Sequence, residues 1–308
     1  MGDLPEAERI LADALGPRLR TRYPLAPLTT FRIGGPAALF VEADDEAALA
    51  AVATASAAAD VPVAVIGKGS NLLVSDDGFP GIVVRLGRGY RWAARDGDVV
   101  AAGAAMPLPA LAGVALRHGL AGLEFGVAIP ATLGGAVVMN AGAHDRSMSD
   151  VVERIDVYSF ADRAHRSIAG ADAGFAYRRS SVPPGVVVGA ALRLRAGEEP
   201  AIRAAMDGAR EWRRRTQPLA EPNCGSVFTN PPGDHAARLI EAAGAKGLRV
   251  GAARVSEKHA NFIVADPGAS AADVWSLIER VRELVDRSSG IRLQTEVRVL
   301  GEVRGVRA

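Results

Sequence analysis

Apolar spacing marks out the helices first. Over residues 6–20, Ile10, Leu11, Ala14 and Leu15 share one helical face, and Gly16-Pro17 interrupts or ends the run. Residues 46–59 form a second candidate, with Asp44 or Asp45 as its cap. Residues 108–118 also carry helical spacing. Residues 198–215 read as a charged helix, and 236–243 as a short one ended by Gly244. Over 270–288, Val274, Leu277, Ile278, Val281, Leu284 and Val285 make one apolar face. Strands are predicted over 39–43, 63–66, 82–86 (after a Pro80-Gly81 turn), 150–160 and 186–195. The last of these alternates at Val188, Ala190, Leu192 and Leu194. A further strand is predicted over 291–300, with Ile291, Leu293 and Thr295 on one face and Arg292, Gln294 and Glu296 on the other. The βαβ-like order at the start points to a small α/β unit. The chain has neither an internal repeat nor a low-complexity linker.

Residues 122–144, GLEFGVAIPATLGGAVVMNAGAH, fit neither period. Glu124 is their only fixed charge. A chain so rich in Gly and Ala can lie flat against a large planar ligand and read its rim with backbone groups. On composition alone it is equally a tightly packed buried connection. The strand at 63–66 runs into Gly67-Lys68-Gly69-Ser70-Asn71-Leu72-Leu73-Val74. Its first two glycines imitate a dinucleotide-binding fingerprint, but Leu72 stands in the third place and a strand-like run follows instead of a helix. The spacing leaves two readings, a phosphate loop in a non-Rossmann setting or a hairpin turn. Tyr177, Arg178 and Arg179 precede a strand, as an anion site or as a solvated basic turn. Prolines bracket Asn223-Cys224-Gly225-Ser226, a stiff loop able to hold a hydroxyl at a fixed point. Cys224 itself reads as a small residue in a tight loop. His259 and Asn261 lie just before a strand that ends at Ala265.

With 308 residues, two or three domains are expected, and 49% hydrophobic against 23% charged residues is ordinary for packed cores. A net charge of +1 with no basic stripe among aromatics speaks against nucleic acid as a partner. The single cysteine excludes an internal disulfide framework and fits a reducing compartment. The acidic, helical N-terminus is not a secretory signal, and no run of about 18 apolar residues predicts membrane insertion. No metal site is expected.

The segments TTFRIGGPA, IGKGSNLLV, GVAIPATLGGAVVMNAGA, YRRSS, CGSVFTNP, SEKHANFIV and EVRVLG stand in the order found in the UDP-N-acetylenolpyruvoylglucosamine reductases. These flavoenzymes complete UDP-N-acetylmuramate in peptidoglycan synthesis. The chain resembles them over nearly its whole length, with the compact YRRSS-to-CGSVF spacing of the family's shorter form. The resemblance implies an α+β fold of three domains. Two form a PCMH/vanillyl-alcohol-oxidase-type FAD-binding unit (1–86 and 87–197), and the third is a C-terminal α/β substrate-binding domain (198–308). It implies a cytoplasmic, monomeric enzyme with non-covalent FAD and with NADPH as co-substrate. The reaction implied is reduction of UDP-N-acetylglucosamine enolpyruvate.

Carried over by resemblance, Ile66, Gly67, Lys68, Gly69, Ser70, Asn71 and Leu72 wrap the FAD pyrophosphate. Gly126, Ile129, Pro130, Gly134, Gly135, Asn140, Ala141 and Gly142 belong to the segment along the flavin ring. Arg178, Ser226 and Glu296 match the catalytic positions. Tyr177, Asn230, His259 and Asn261 are expected at the substrate. Arg178 suits a substrate carboxylate because it stays protonated and grips it with two hydrogen bonds. Ser226 is expected to donate a proton to the enol carbon. Glu296 hydrogen-bonds the carboxylate or enol if protonated, or else orients Arg178 or a water. Two positions depart from the family pattern: Thr229 where lysine is usual and Ala265 where asparagine is common. These keep open a paralogous FAD-linked oxidoreductase or oxidase acting on a related nucleotide sugar. A non-catalytic nucleotide-binding module is the rival of another class.

Overall fold

Caps define where the helices of this chain begin. The structure, a computed structural model, describes residues 2–303. Helix α1 (Leu4–Leu15) starts where the Asp3 carboxylate accepts the Glu6 N–H, with Pro5 in the first turn, and stops at Gly16. It is shorter than the 6–20 expected, because Gly16–Arg18 tightens into a 3-10 turn and Leu19–Pro24 is a strand. Helix α2 (Glu46–Ala59) takes Asp45 as its cap, the carboxylate accepting the Ala48 N–H at 2.8 Å. Asp44 instead accepts the Arg88 N–H at 2.5 Å.

The chain divides into two units. The first holds the residues up to Thr21, Leu39–Lys68 and Gly81–Arg213. One sheet runs in the order Leu19–Pro24, Pro36–Ala43, Phe79–Leu86, Val63–Ile66, the last two parallel. A five-stranded antiparallel sheet runs Ala164–Ala169, Val152–Ser159, Val186–Arg193, Val99–Gly103, Ala93–Asp96. Its middle strand is buried along nearly its whole length. Helices α3 (Leu108–Arg117), α4 (Leu133–Val138) and α5 (Glu199–Thr216) complete the order here. One core gathers Leu39, Leu49, Val100, Leu111, Val157 and Leu192. Each such buried side chain contributes about 1.5–3 kcal/mol, against about 1 kcal/mol for a helix cap. The core therefore holds the unit together, and the caps set the register of its helices.

The second unit holds Arg22–Ala38, Gly69–Pro80 and the residues from Arg214 onward. Helix α6 (Ala236–Ala242) and helix α7 (Ala271–Ser289) pack with a small antiparallel sheet of Arg249–Val250, Ala253–Val255 and Ile263–Ala265. Phe31, Leu73, Phe228, Val255, Leu277 and Val281 share its core. Leu72–Val74 pairs in parallel with Arg298–Leu300. The start of α7 is bonded twice over. Ser270 and Asp273 form a capping box, and the Asp76 carboxylate accepts the Ala271 and Ala272 N–H groups at 2.7 and 3.1 Å.

Two expectations change, and two strands went unpredicted. The predicted strand over 291–300 is a strand only at Arg298–Leu300. Residues 294–296 bond antiparallel to 227–229 while 298–300 pair in parallel with 72–74, and this change of partner breaks the ladder. Pro80-Gly81 is not a turn but the opening of the strand Phe79–Leu86, where an exposed proline is tolerated. Ala93–Asp96 and Ala164–Ala169, both mostly exposed, are edge strands with no apolar periodicity to announce them. Among the described residues no helix is long and apolar enough to cross a membrane, and no His, Cys, Asp and Glu cluster is arranged to hold a metal ion.

Replacing the outer α7 cap, Asp76→Ala, should cost about 1 kcal/mol in chemical denaturation. It should also speed amide exchange at Ala271 and Ala272, whereas Asp76→Asn, with one acceptor oxygen in place of two, should keep protection at only one of them. Unchanged exchange in the alanine variant would show that the capping box suffices alone.

Candidate active site

In the first unit the strand Val63–Ile66 delivers Gly67 against the turn that opens α4. A Cβ on Gly67 would lie 2.5 Å from Thr132 Oγ1, so only glycine lets the two segments approach this closely. Thr132 caps α4, its hydroxyl accepting the Gly135 N–H, and Gly135 is exposed. Gly67 thus meets Thr132 in close approach. No side chain projects there at half-buried Gly67 or at exposed Gly135. The segment that matched neither period holds three short pieces, a 3-10 turn at Glu124–Ala128, α4 itself and the two-residue strand Gly142–Ala143. Buried Gly126 packs against Leu108, and Gly134 against Ala104.

Asn140 is 5% exposed and has a left-handed backbone (φ 40°). Its Nδ2 donates to the Ala176 carbonyl at 3.0 Å, and its Oδ1 accepts the Ser149 N–H at 2.9 Å. The carboxamide therefore ties the 138–142 turn to the loop that carries Tyr177 and Arg178. That loop is held again by Ser180 Oγ, which donates to the Val138 carbonyl at 2.8 Å. A guanidinium nitrogen of Arg178 donates to the Gly142 carbonyl at 3.0 Å. Arg178 also has φ 57°, and its guanidinium stands 5.0 Å from the centre of the exposed Tyr177 ring. Such a backbone costs a non-glycine residue roughly 1–2 kcal/mol. The three hydrogen bonds around it compensate, and they aim the guanidinium along the 140–142 turn.

In the second unit the downstream half of the glycine loop is pinned by the TTFR segment. Gly69 has φ +63°, its missing Cβ would lie 2.3 Å from the Leu28 carbonyl, and its own carbonyl accepts the Thr30 N–H at 3.2 Å. Asn71 Nδ2 donates to the Glu296 carbonyl at 3.0 Å, and the Asn71 carbonyl accepts the Arg298 N–H at 3.0 Å. The Glu296 N–H in turn donates to the Val227 carbonyl at 2.8 Å. Ser226 and Glu296, both half-buried, therefore stand on adjacent backbone segments of one unit. Asn223 Oδ1 accepts the Gly225 N–H at 2.9 Å and shapes the turn before Ser226. Exposed Asn230 caps α6 through the Ala236 N–H at 3.0 Å.

Cys224 is 2% exposed. Burial first, and the neighbouring Glu296 charge second, push its thiol well above the ordinary range, so it stays protonated and inert. His259 is half-buried, packs edge-on against Phe262 and accepts the Asn261 N–H on Nδ1 at 3.2 Å. Asn261 is 4% exposed, and its carboxamide bonds both backbone groups of Phe228. Sequence reasoning missed the pinning of Gly69 by Thr30 and the bonding of Asn71 to the Glu296 segment. The one available signal was the recurrence of Thr and Asn beside glycine loops.

The C-terminal domain of UDP-N-acetylenolpyruvoylglucosamine reductases matches residues 217–300, and an FAD binding domain matches 37–162. UDP-N-acetylenolpyruvoylglucosamine reductase 2 of Symbiobacterium thermophilum is 46% identical over 300 residues, covering 96% of this chain and 97% of the relative. The chain belongs to the UDP-N-acetylenolpyruvoylglucosamine reductase family. The family's crystal structure from Thermus caldophilus superposes with a TM-score of 0.80 at 38% identity, covering 92% of this chain and 99% of that one. A berberine-bridge-enzyme-like protein of Physcomitrella patens, its D396N variant, gives a TM-score of 0.54 at 13% identity. It covers 91% of this chain and 88% of its own, a likeness of fold alone. The fold is thus α+β with a PCMH-type FAD-binding unit, as the motifs implied.

The glycine-bounded surface at Gly67 and Gly135 fits the cofactor of this family, since a flat ring system needs a wall without side chains. At the two departures from the family pattern, Thr229 is bonded to the Gln294 carbonyl by its N–H (2.9 Å) and its hydroxyl (3.3 Å), and Ala265 is buried in the small sheet. Lys246 pairs with Glu241 at 2.9 Å and Lys258 donates to the Arg214 carbonyl at 2.7 Å.

Burial first, and Lys246 second, lower the His259 pKa below its ordinary 6.5. The folded protein then binds fewer protons at this site than the unfolded chain. Its contribution to stability is full above pH 6.5 and is lost as the pH falls through 6.5 toward the lower folded value. The imidazole should titrate below 6.5 by NMR, and His259→Gln should flatten the acid-side loss of stability. A midpoint at or above 6.5 would contradict this.

Proposed function

We propose that this chain catalyses the NADPH-dependent, FAD-mediated reduction of UDP-N-acetylglucosamine enolpyruvate to UDP-N-acetylmuramate in the cytoplasm, as a monomer. The carrying observation is the bonded adjacency of the Ser226 and Glu296 segments in a chain 46% identical to a reductase of that name. Three domains, over 1–86, 87–197 and 198–308, divide the work between cofactor and substrate.

When bound, FAD relays hydride from NADPH to the substrate. Residues Ile66 to Leu72 would hold its pyrophosphate, and Ile129 to Ala143 would line its ring. The vinyl group of the substrate gains hydride at its terminal carbon and a proton at the carbon bearing the carboxylate. Negative charge develops toward that carboxylate during the transfer. Arg178, permanently protonated and held by the Gly142 carbonyl, stabilises that charge more in the transition state than in the ground state. Ser226 Oγ–H delivers the proton. A hydroxyl is a weak acid, but the enolate is a strong base, and a bonded loop keeps donor and acceptor close. Protonated, Glu296 hydrogen-bonds the carboxylate or enol; ionised, it orients Arg178 or a water. Tyr177, Asn230 and His259 serve the nucleotide sugar.

Ser226→Ala should leave flavin reduction by NADPH intact and slow flavin reoxidation by the enolpyruvyl substrate by ~10²-fold or more. Equal loss in both halves would refute the assignment. The overall reading is tested by NADPH consumption with and without UDP-N-acetylglucosamine enolpyruvate. Turnover should depend on that substrate, and the yellow colour should leave the chain on denaturation. Substrate-independent turnover with oxygen would favour an oxidase instead.

A further inference from the structure

The HANF motif resembles a substrate-contacting segment, yet Asn261 is turned away from that task. Its side chain is 4% exposed. Oδ1 accepts the Phe228 N–H at 2.9 Å, and Nδ2 donates to the Phe228 carbonyl at 2.8 Å. The Asn261 carbonyl accepts the Val227 N–H at 2.9 Å. A carboxamide bonded to both backbone groups of one residue takes the place of a neighbouring strand. It fixes that residue in position and in rotation about the chain axis. On the opposite edge, the Val227 carbonyl accepts the Glu296 N–H at 2.8 Å, and the Thr229 N–H reaches the Gln294 carbonyl at 2.9 Å. The stretch 227–229 is thus bonded along both edges, and Ser226 is the first residue beyond it. On its other side, the turn at Gly225 (φ +78°) sets the approach of the chain.

We infer that Asn261 is a positioning residue for the proton donor: its buried carboxamide sets where the Ser226 hydroxyl points, and it does not contact substrate. This rests on the assignment of Ser226 as that donor. With its outward polar atoms consumed by Phe228, Asn261 affects the reaction only through the backbone that carries Ser226. A misplacement of a catalytic group by about 1 Å is enough to cost up to 10²-fold. The effect falls on proton delivery, and flavin reduction by NADPH is untouched.

The test is a double-mutant cycle on the FAD-loaded enzyme, following both half-reactions by flavin absorbance. Asn261→Ala should retain the flavin and its reduction rate, slow reoxidation by the enolpyruvyl substrate by about 10-fold or more, and lower kcat with little change in KM. In a Ser226→Ala background the same change should add nothing. Multiplying effects, equal slowing of both half-reactions, or a rise in KM alone would overturn the inference while leaving Ser226 as donor. A normal reoxidation rate in Ser226→Ala would instead sink the donor assignment on which the inference stands. Should Asn261→Ala lose the flavin, Asn261→Asp, which keeps the acceptor for Phe228 N–H, serves in the same cycle with the same outcomes.

Discussion

A buried peptide group must find a partner for its N–H and its C=O, and at residues 227–229 no regular sheet supplies one. The partners come from two irregular stretches, the Asn261 carboxamide with its own carbonyl on one edge and residues 294–297 on the other. The placement of Ser226 beside Glu296 in the second unit follows from that requirement. Ser226 and Glu296 are 70 residues apart in sequence, yet direct backbone bonds make them parts of one rigid piece. Long side chains on independent loops would lose rotameric freedom each time they aligned. Here most of that ordering is done on folding.

The first unit uses the same device at another place. The buried Asn140 carboxamide spans the Ala176 carbonyl and the Ser149 N–H, and so fixes the turn in which Arg178 adopts a left-handed backbone. An unfavourable φ persists only where surrounding bonds over-determine it. The Gly142 carbonyl then takes one guanidinium hydrogen bond and sets the direction of the fork. In each unit, a buried asparagine organises the main chain beside a more exposed polar side chain.

What the sequence disclosed follows the range of the interactions involved. Helices α2 and α7 were legible nearly to the residue, because their caps and apolar spacing are local. The family was legible because its motifs occur in one order along the chain. The partner switch within 291–300 was not, since alternation describes one face and not which strand covers it. The edge strands at Ala93–Asp96 and Ala164–Ala169 were invisible because exposure removes the alternating pattern. Asn261 was open to misreading for a related reason. A polar residue in a glycine- and histidine-bearing motif looks like a ligand contact, and nothing in the chain reveals that Phe228, 33 residues away, takes up its amide.

The glycine loop explains why an incomplete dinucleotide fingerprint can still make a firm loop. In the usual arrangement a helix follows the third glycine and anchors the turn. Here Leu72–Val74 continues as a strand paired in parallel with Arg298–Leu300, so a sheet provides the anchorage. Asn71 adds two bonds to the same partner segment, one to the Glu296 carbonyl and one from the Arg298 N–H. Thr30 and Leu28 close over Gly69 from the other side. A loop built this way cannot shift without pulling on the peptide of Glu296. In a reductase of this family, that ties residues 69–74 to the segment that carries Glu296.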